Sequence, residues 1–118
     1  MELNLAKPVK IDAINEPFAT QKAAKQFFHD LKERHAAGDH LSGHDEVQVR
    51  AVYEQYCRVT SWTIPSGITG FSVDNKAEEV SPGVFRTQKC FWYHLPDGTK
   101  VDFSIIKAVE KISRAQNP

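Results

Sequence analysis

Apolar positions recur at three- and four-residue intervals through Ala24, Phe27, Phe28 and Leu31, with His35 closing the stripe, the spacing of one face of an α-helix. Lys22, Lys25, Lys32 and Glu33 fall off that stripe. Thr20 has the hydroxyl an N-cap needs, and Gly38 suits the left-handed residue past a helix end. The pattern predicts a helix over about 21–37. A second helix starts at Ser42, with Asp45 and Glu46 in the first turn to offset its positive end. Its buried stripe is Val49, Val52, Tyr53 and Tyr56. The link Gly38-Asp39-His40-Leu41 is short, so the two helices are neighbours, with Leu41 filling the space between them.

The period then changes. Pro65, Gly67 and Gly70 break helix, and Phe71 and Val73 share one side of an extended segment. Asp74 to Gly83 reads as a polar excursion, and Val84 to Leu95 is the longest strand candidate. The turn Pro96-Asp97-Gly98 sets a register in which Leu95 faces Thr99, Tyr93 faces Val101 and Phe91 faces Phe103. The opposite face then carries Arg86, Gln88, Cys90, Trp92 and His94 across from Lys100 and Asp102. After Ser104, a capping residue, helical spacing returns at Ile105, Ala108, Val109 and Ile112. The expected fold is a small single-domain α+β protein: two N-terminal helices, a three-stranded antiparallel sheet with the Pro-Asp-Gly hairpin, and a C-terminal helix. The sheet packs on the helices through Phe71, Phe91, Tyr93, Val101 and Phe103. Residues 1–17, where Leu3, Leu5, Val9 and Ile11 alternate weakly, read as an N-terminal arm, 18–114 as the domain, and 115–118 as a frayed end.

Composition narrows the classes. The chain has 118 residues, enough to bury a core without a metal or disulfide. Fifteen Lys and Arg balance fifteen Asp and Glu, so no global field draws in nucleic acid or an anionic membrane, and binding to either needs a local patch. Cys57 and Cys90 are far apart in sequence, and the first residues lack a secretory apolar core. No apolar run approaches the ~20 residues of a membrane span. A reducing cytoplasmic setting without membrane contact is expected.

Several of these residues together carry a family resemblance. Gly38-Asp39 and Asp45, Gly67-Ile68 and Phe71, Arg86, Cys90-Phe91, Asp97-Gly98 and Asp102-Phe103-Ser104 resemble the small DCL-like domain of plants and bacteria, named for the "defective chloroplasts and leaves" phenotype. The match spans roughly residues 20–112. The resemblance implies an α+β fold. It also implies an association with RNA: plant members are linked to plastid ribosomal RNA processing, and one is joined to a large subunit of a plant-specific RNA polymerase. This chain resembles the stand-alone bacterial members. The family has no established catalytic residues to carry over. It usually continues Asp-Phe-Ser with a tyrosine and, shortly after, a cysteine, where this chain has Ile105 and Ala108.

Three constellations bear on chemistry. His29, His35, His40 and His44, with Asp39 and Asp45, have side chains that suit zinc or iron, but no two of these histidines stand four apart within one predicted helix, and imidazoles near helix ends are ordinarily solvated or line a core. Cys90, His94 and Asp102 contain the parts of a cysteine nucleophile with base and orienter. In the predicted register Cys90 faces Ser104 and Asp102 faces Trp92, which is not triad geometry, and Asp102 reads as structural. Trp92 with Arg86, Lys89, His94 and Lys100 offers a stacking platform flanked by cations, which Lys107, Lys111 and Arg114 extend. Against it stands the ordinary reading of a covered indole among surface charges. Gly38, Asp39, Cys90, Phe91, Asp97, Gly98, Asp102, Phe103 and Ser104 are assigned to structure. The expectation is a non-enzymatic binding module for RNA or an RNA-associated protein. The alternative is a protein–protein interaction module without nucleic acid, and behind both stands a small metal protein or enzyme. No cofactor, metal or small-molecule ligand is inferred.

Overall fold

Among the described residues, three helices pack on one face of an antiparallel sheet whose other face is polar. The computed structural model describes residues 7–118. In order the elements are α1 (Gln21–Glu33), β1 (Asp39–His40), α2 (Gly43–Thr60), β2 (Gly70–Ser81), β3 (Val84–His94), β4 (Lys100–Phe103) and α3 (Ile105–Gln116). The strands lie side by side in the order β1-β2-β3-β4.

This corrects the expected three-stranded sheet to four strands and places a strand between the first two helices. The cause lies in the link. α1 ends at Glu33 rather than near residue 37, and Gly38 adopts φ +95°. Asp39 accepts from the Ala36 amide at 3.1 Å, which tightens the turn. The Gly38 amide then reaches the Val73 carbonyl and the Leu41 amide the Phe71 carbonyl, both at 2.8 Å. A short interhelical link satisfies its backbone on the edge of β2, where a solvated loop would leave those groups to water. The expected polar excursion after Asp74 is also strand. β2 runs on to Ser81 and pairs with β3 along its length, with an irregularity between Glu79 and Ser81 before the turn.

The predicted hairpin register holds: Phe91 faces Phe103, Trp92 faces Asp102 and Tyr93 faces Val101. Leu95 and Gly98 close the turn through 2.9 and 3.0 Å backbone bonds, the first to Thr99 and the second back to Leu95, with Gly98 at φ +90°, a conformation that costs a residue with a Cβ about 1 kcal/mol. Phe71, Val73, Phe91 and Tyr93 are buried on the inner face. Tyr53 of α2 stands over them, with ring centroids 5.0 Å from Tyr93, 4.9 Å from Phe103 and 6.2 Å from Phe71. From α3, Ile105, Ala108, Val109 and Ile112 are buried as expected.

Of the expected arm, Leu3 and Leu5 lie outside the described residues. Val9 and Ile11 are fully buried in the core. Val9 and Phe18 bridge each other, and the buried Gln55 amide accepts from the Asp12 backbone at 2.9 Å and donates to the Lys10 carbonyl at 3.0 Å. Among the described residues no helix is long and apolar enough to cross a membrane.

Candidate functional site

The polar outer face of the sheet brings Trp92, His94 and Lys100 together. The Trp92 indole N–H donates to the Asp74 carbonyl at 3.1 Å. Lys100 places its Nζ 4.5 Å from the centre of the same ring and 2.6 Å from the Asp74 carboxylate, which holds that carboxyl below its ordinary range. The ring is thus capped by the chain's own cation. His94 Nε2 lies 2.7 Å from the buried Ser72 hydroxyl, and its ring sits 4.8 Å from that of His40. Burial pushes His94 below the ordinary histidine range, and His40 and Lys100 push the same way.

The other cations expected around Trp92 are placed differently. Arg86 shares the outer face but lies out along the β2–β3 ribbon, 3.3 Å from Glu78. Lys89 is on the inner face, donating to the His35 carbonyl at 2.8 Å and standing 3.8 Å from Glu33. Lys107 and Lys111 are on α3, exposed on the helical side. Lys76, which the sequence did not single out, pairs with Asp102 at 2.8 Å.

The enzymatic and metal constellations do not assemble. Burial first, and Asp102 second, push the Cys90 thiol up, which keeps it protonated and a poor nucleophile. His94 is turned to Ser72 and His40. His35 is held by Asp45 at 2.8 Å and Asp39 at 3.5 Å, while His29 and His44 are exposed. Among the described residues no three His, Cys, Asp or Glu side chains converge as a metal would need.

Two features lie away from the Trp92 platform. The first is an aromatic cleft of about 280 Å³ between the end of α2, β4 and the start of α3, lined by Tyr53, Tyr56, Trp62, Tyr93, Phe103 and Lys107. α2 ends at Ser61 in a left-handed conformation, and the chain turns there to leave Trp62 66% exposed at the rim. An aromatic just past a helix end, outside any stripe, is the only signal the sequence gives. The second is a distribution of charge. Lys107, Lys111 and Arg114 follow one line along α3 at four- and three-residue spacing. Lys22, Lys25 and Arg114, with Lys7, border a cleft of about 770 Å³ between α1 and α3. Lys25 pairs with Glu110 at 2.8 Å. No ion pair involves Lys22, Lys107, Lys111 or Arg114 among the described residues. In a chain of zero net charge, the outer-face cations form ion pairs, while among the described residues Lys107, Lys111 and Arg114 form none, although the Glu110 carboxylate that pairs with Lys25 also feels Lys107 and Arg114.

Comparison with known proteins gives a family without an activity. A family model described as a protein of unknown function (DUF3223) matches residues 25–109. The solution NMR structure of an uncharacterised protein from Rhodospirillum rubrum superposes with a TM-score of 0.65 at 24% identity, covering 90% of this chain and 91% of that one. At that identity the likeness is one of fold. No curated protein matches the chain.

Proposed function

We propose that this chain, which belongs to the DUF3223 family of proteins of unknown function, is a binding module for single-stranded RNA rather than an enzyme, and that its contact surface is the α3 ridge and the Trp62 cleft. One observation carries this reading: Lys107, Lys111 and Arg114, unpaired among the described residues, run along α3 toward an aromatic cleft whose Trp62 is 66% exposed. Ammonium and guanidinium groups in a row neutralise successive phosphates, and an exposed ring beside them stacks an unpaired base. Lys107 belongs to both the ridge and the cleft, so a base on Trp62 puts its phosphate beside that ammonium. The resemblance to DCL-like domains, with their ties to RNA, favours the same ligand. The Trp92 face does not serve, because Lys100 already occupies its ring and Asp74 neutralises Lys100. Cys57 and Cys90 are free thiols, in keeping with work in the cytoplasm.

Titration of the protein with a labelled single-stranded RNA, followed by anisotropy over a range of salt, tests this. Affinity falls steeply as salt rises. Trp62→Ala weakens binding by about 1–3 kcal/mol, Lys107→Gln with Lys111→Gln lowers the salt slope, and Trp92→Ala leaves affinity unchanged. No binding at low salt, or a loss with Trp92→Ala and none with Trp62→Ala, ends the proposal. One observation favours a protein partner instead. Among the described residues the outer edge of β4 is open beside the cleft, with Val101 39% exposed, so an added strand could place a side chain there. Such binding would survive salt that abolishes RNA binding.

A further inference from the structure

A different surface, the open edge of β3, fits a second copy of this chain. β3 runs from Val84 to His94, but β4 covers only its last part, where the final pair is Phe91 with Phe103. Beyond that pair the chain turns away into α3, and among the described residues no strand neighbours one side of β3 from Val84 to Cys90.

The direction of each peptide follows from the ladders. In an antiparallel pair, alternate residues turn their N–H and C=O to the same neighbour. The Leu41 amide bonds the Phe71 carbonyl, so odd residues of β2 face β1 and even ones face β3. With Ser72 opposite Trp92, the even residues of β3 bond to β2. Leu95 bonding Thr99 puts the odd residues on the β4 side. Phe85, Thr87 and Lys89 therefore present unused amides and carbonyls to the open edge.

This edge is self-complementary. We infer that two copies of the protein join their β3 edges antiparallel about a twofold axis at Thr87, making one continuous sheet. With Thr87 opposite itself, Phe85 lies opposite the second copy's Lys89, Arg86 opposite its Gln88 and Val84 opposite its Cys90. Centring on Arg86 would oppose two guanidinium groups, and centring on Gln88 would bring Phe85 against Phe91, which β4 already covers. The side chains fit the same register. Phe85 is 63% exposed and Val84 52%, unusual for an edge strand left in water. The place beside Lys89 that an extended β4 would fill is a notch of about 560 Å³, apolar at Phe91, Phe103, Ile105 and Ile106 and charged around them, Glu33 and Lys107 included. Ile106 is 43% exposed. The incoming Phe85 enters that notch against Ile106, while Lys89, whose ammonium is drawn to the His35 carbonyl and Glu33, leaves the edge clear. The contact is isologous and closes with two subunits.

Sedimentation of the full chain over a dilution series is the test, with RNA absent. The mass is expected to pass from one chain to two as concentration rises. Thr87→Pro removes an amide that β2 does not use and is tolerated by an edge strand, so it folds, as circular dichroism would verify, and stays monomeric. Phe85→Lys stays monomeric as well. Thr87→Cys in a Cys90→Ser background forms a disulfide-linked dimer on mild oxidation, since opposed residues of a bonded pair lie within disulfide reach. A wild type that remains a single chain at millimolar concentration overturns the inference. So does a dimer that persists unchanged in Thr87→Pro and Phe85→Lys, since it must use another surface.

Discussion

Trp92 and Trp62 show how much neighbours decide about a side chain. Both are aromatic and both lie near lysines, yet Trp92 has its N–H bonded to Asp74 and its ring beneath Lys100, while Trp62 stands 66% exposed. The sequence drew attention to Trp92 because strand alternation gives every residue of β3 a side. Trp62 follows the last turn of α2, where no period assigns direction, so its position came only from the left-handed Ser61. Beside Trp92, His94 gives a pH-dependent consequence. Its folded-state pKa is depressed, by burial first, so the unfolded chain takes up a proton before the folded one does. The contribution of neutral His94 is complete above the ordinary histidine value, about pH 6.5, and is lost as pH falls through its folded value. The stability difference between wild type and His94→Gln, read by thermal unfolding, is expected to shift against the wild type as pH drops through that window. A constant difference would show that His94 does not titrate this way.

Among the elements, those with an apolar period were legible and those held by backbone pairing were not. α3 is the clearest case of the first kind. Its stripe was written in Ile105, Ala108, Val109 and Ile112, and Ser104 caps it by accepting from the Lys107 amide at 3.2 Å. Ser104→Ala is expected to cost about 1 kcal/mol, seen as a lower unfolding midpoint with the native spectrum kept. No change would mean water replaces the cap. β1 is the second kind: Asp39 and His40 are both exposed, and backbone pairing with β2, flanked by the Gly38 and Leu41 amides on the Val73 and Phe71 carbonyls, makes them a strand. The far half of β2 is similar. From Asn75 to Ser81 most side chains meet water, so no alternation marked it, although the ladder continues to Ser81 and Val84.

For the molecule as a whole, the candidate site illustrates a limit of adding up charges. Zero net charge concealed a division in which Asp74, Glu78 and Asp102 pair with the sheet cations while, among the described residues, Lys107, Lys111 and Arg114 of the α3 ridge form no ion pair. Spacing puts Lys107, Lys111 and Arg114 on one line of α3, but only tertiary pairing separates the two sets, and the aromatic cleft could not be read from spacing. The segment before Thr20 was hard to read for a related reason. Val9 and Ile11 are too few to form a pattern, yet they are fully buried. Their surroundings include the far end of the chain: Gln116 bonds both the amide and the carbonyl of Lys10, at 2.9 and 2.8 Å, and Asn117 donates to the Pro8 carbonyl at 3.1 Å. Residues remote in sequence are thus fastened together, and the fold is nearly a closed ring. A circular permutant that joins these ends through a short glycine linker and opens the ring at Pro82-Gly83 should fold to the same secondary structure by circular dichroism. If it does not, the Pro82-Gly83 tip is needed to bring β2 and β3 together, and the clasp at the ends cannot replace it.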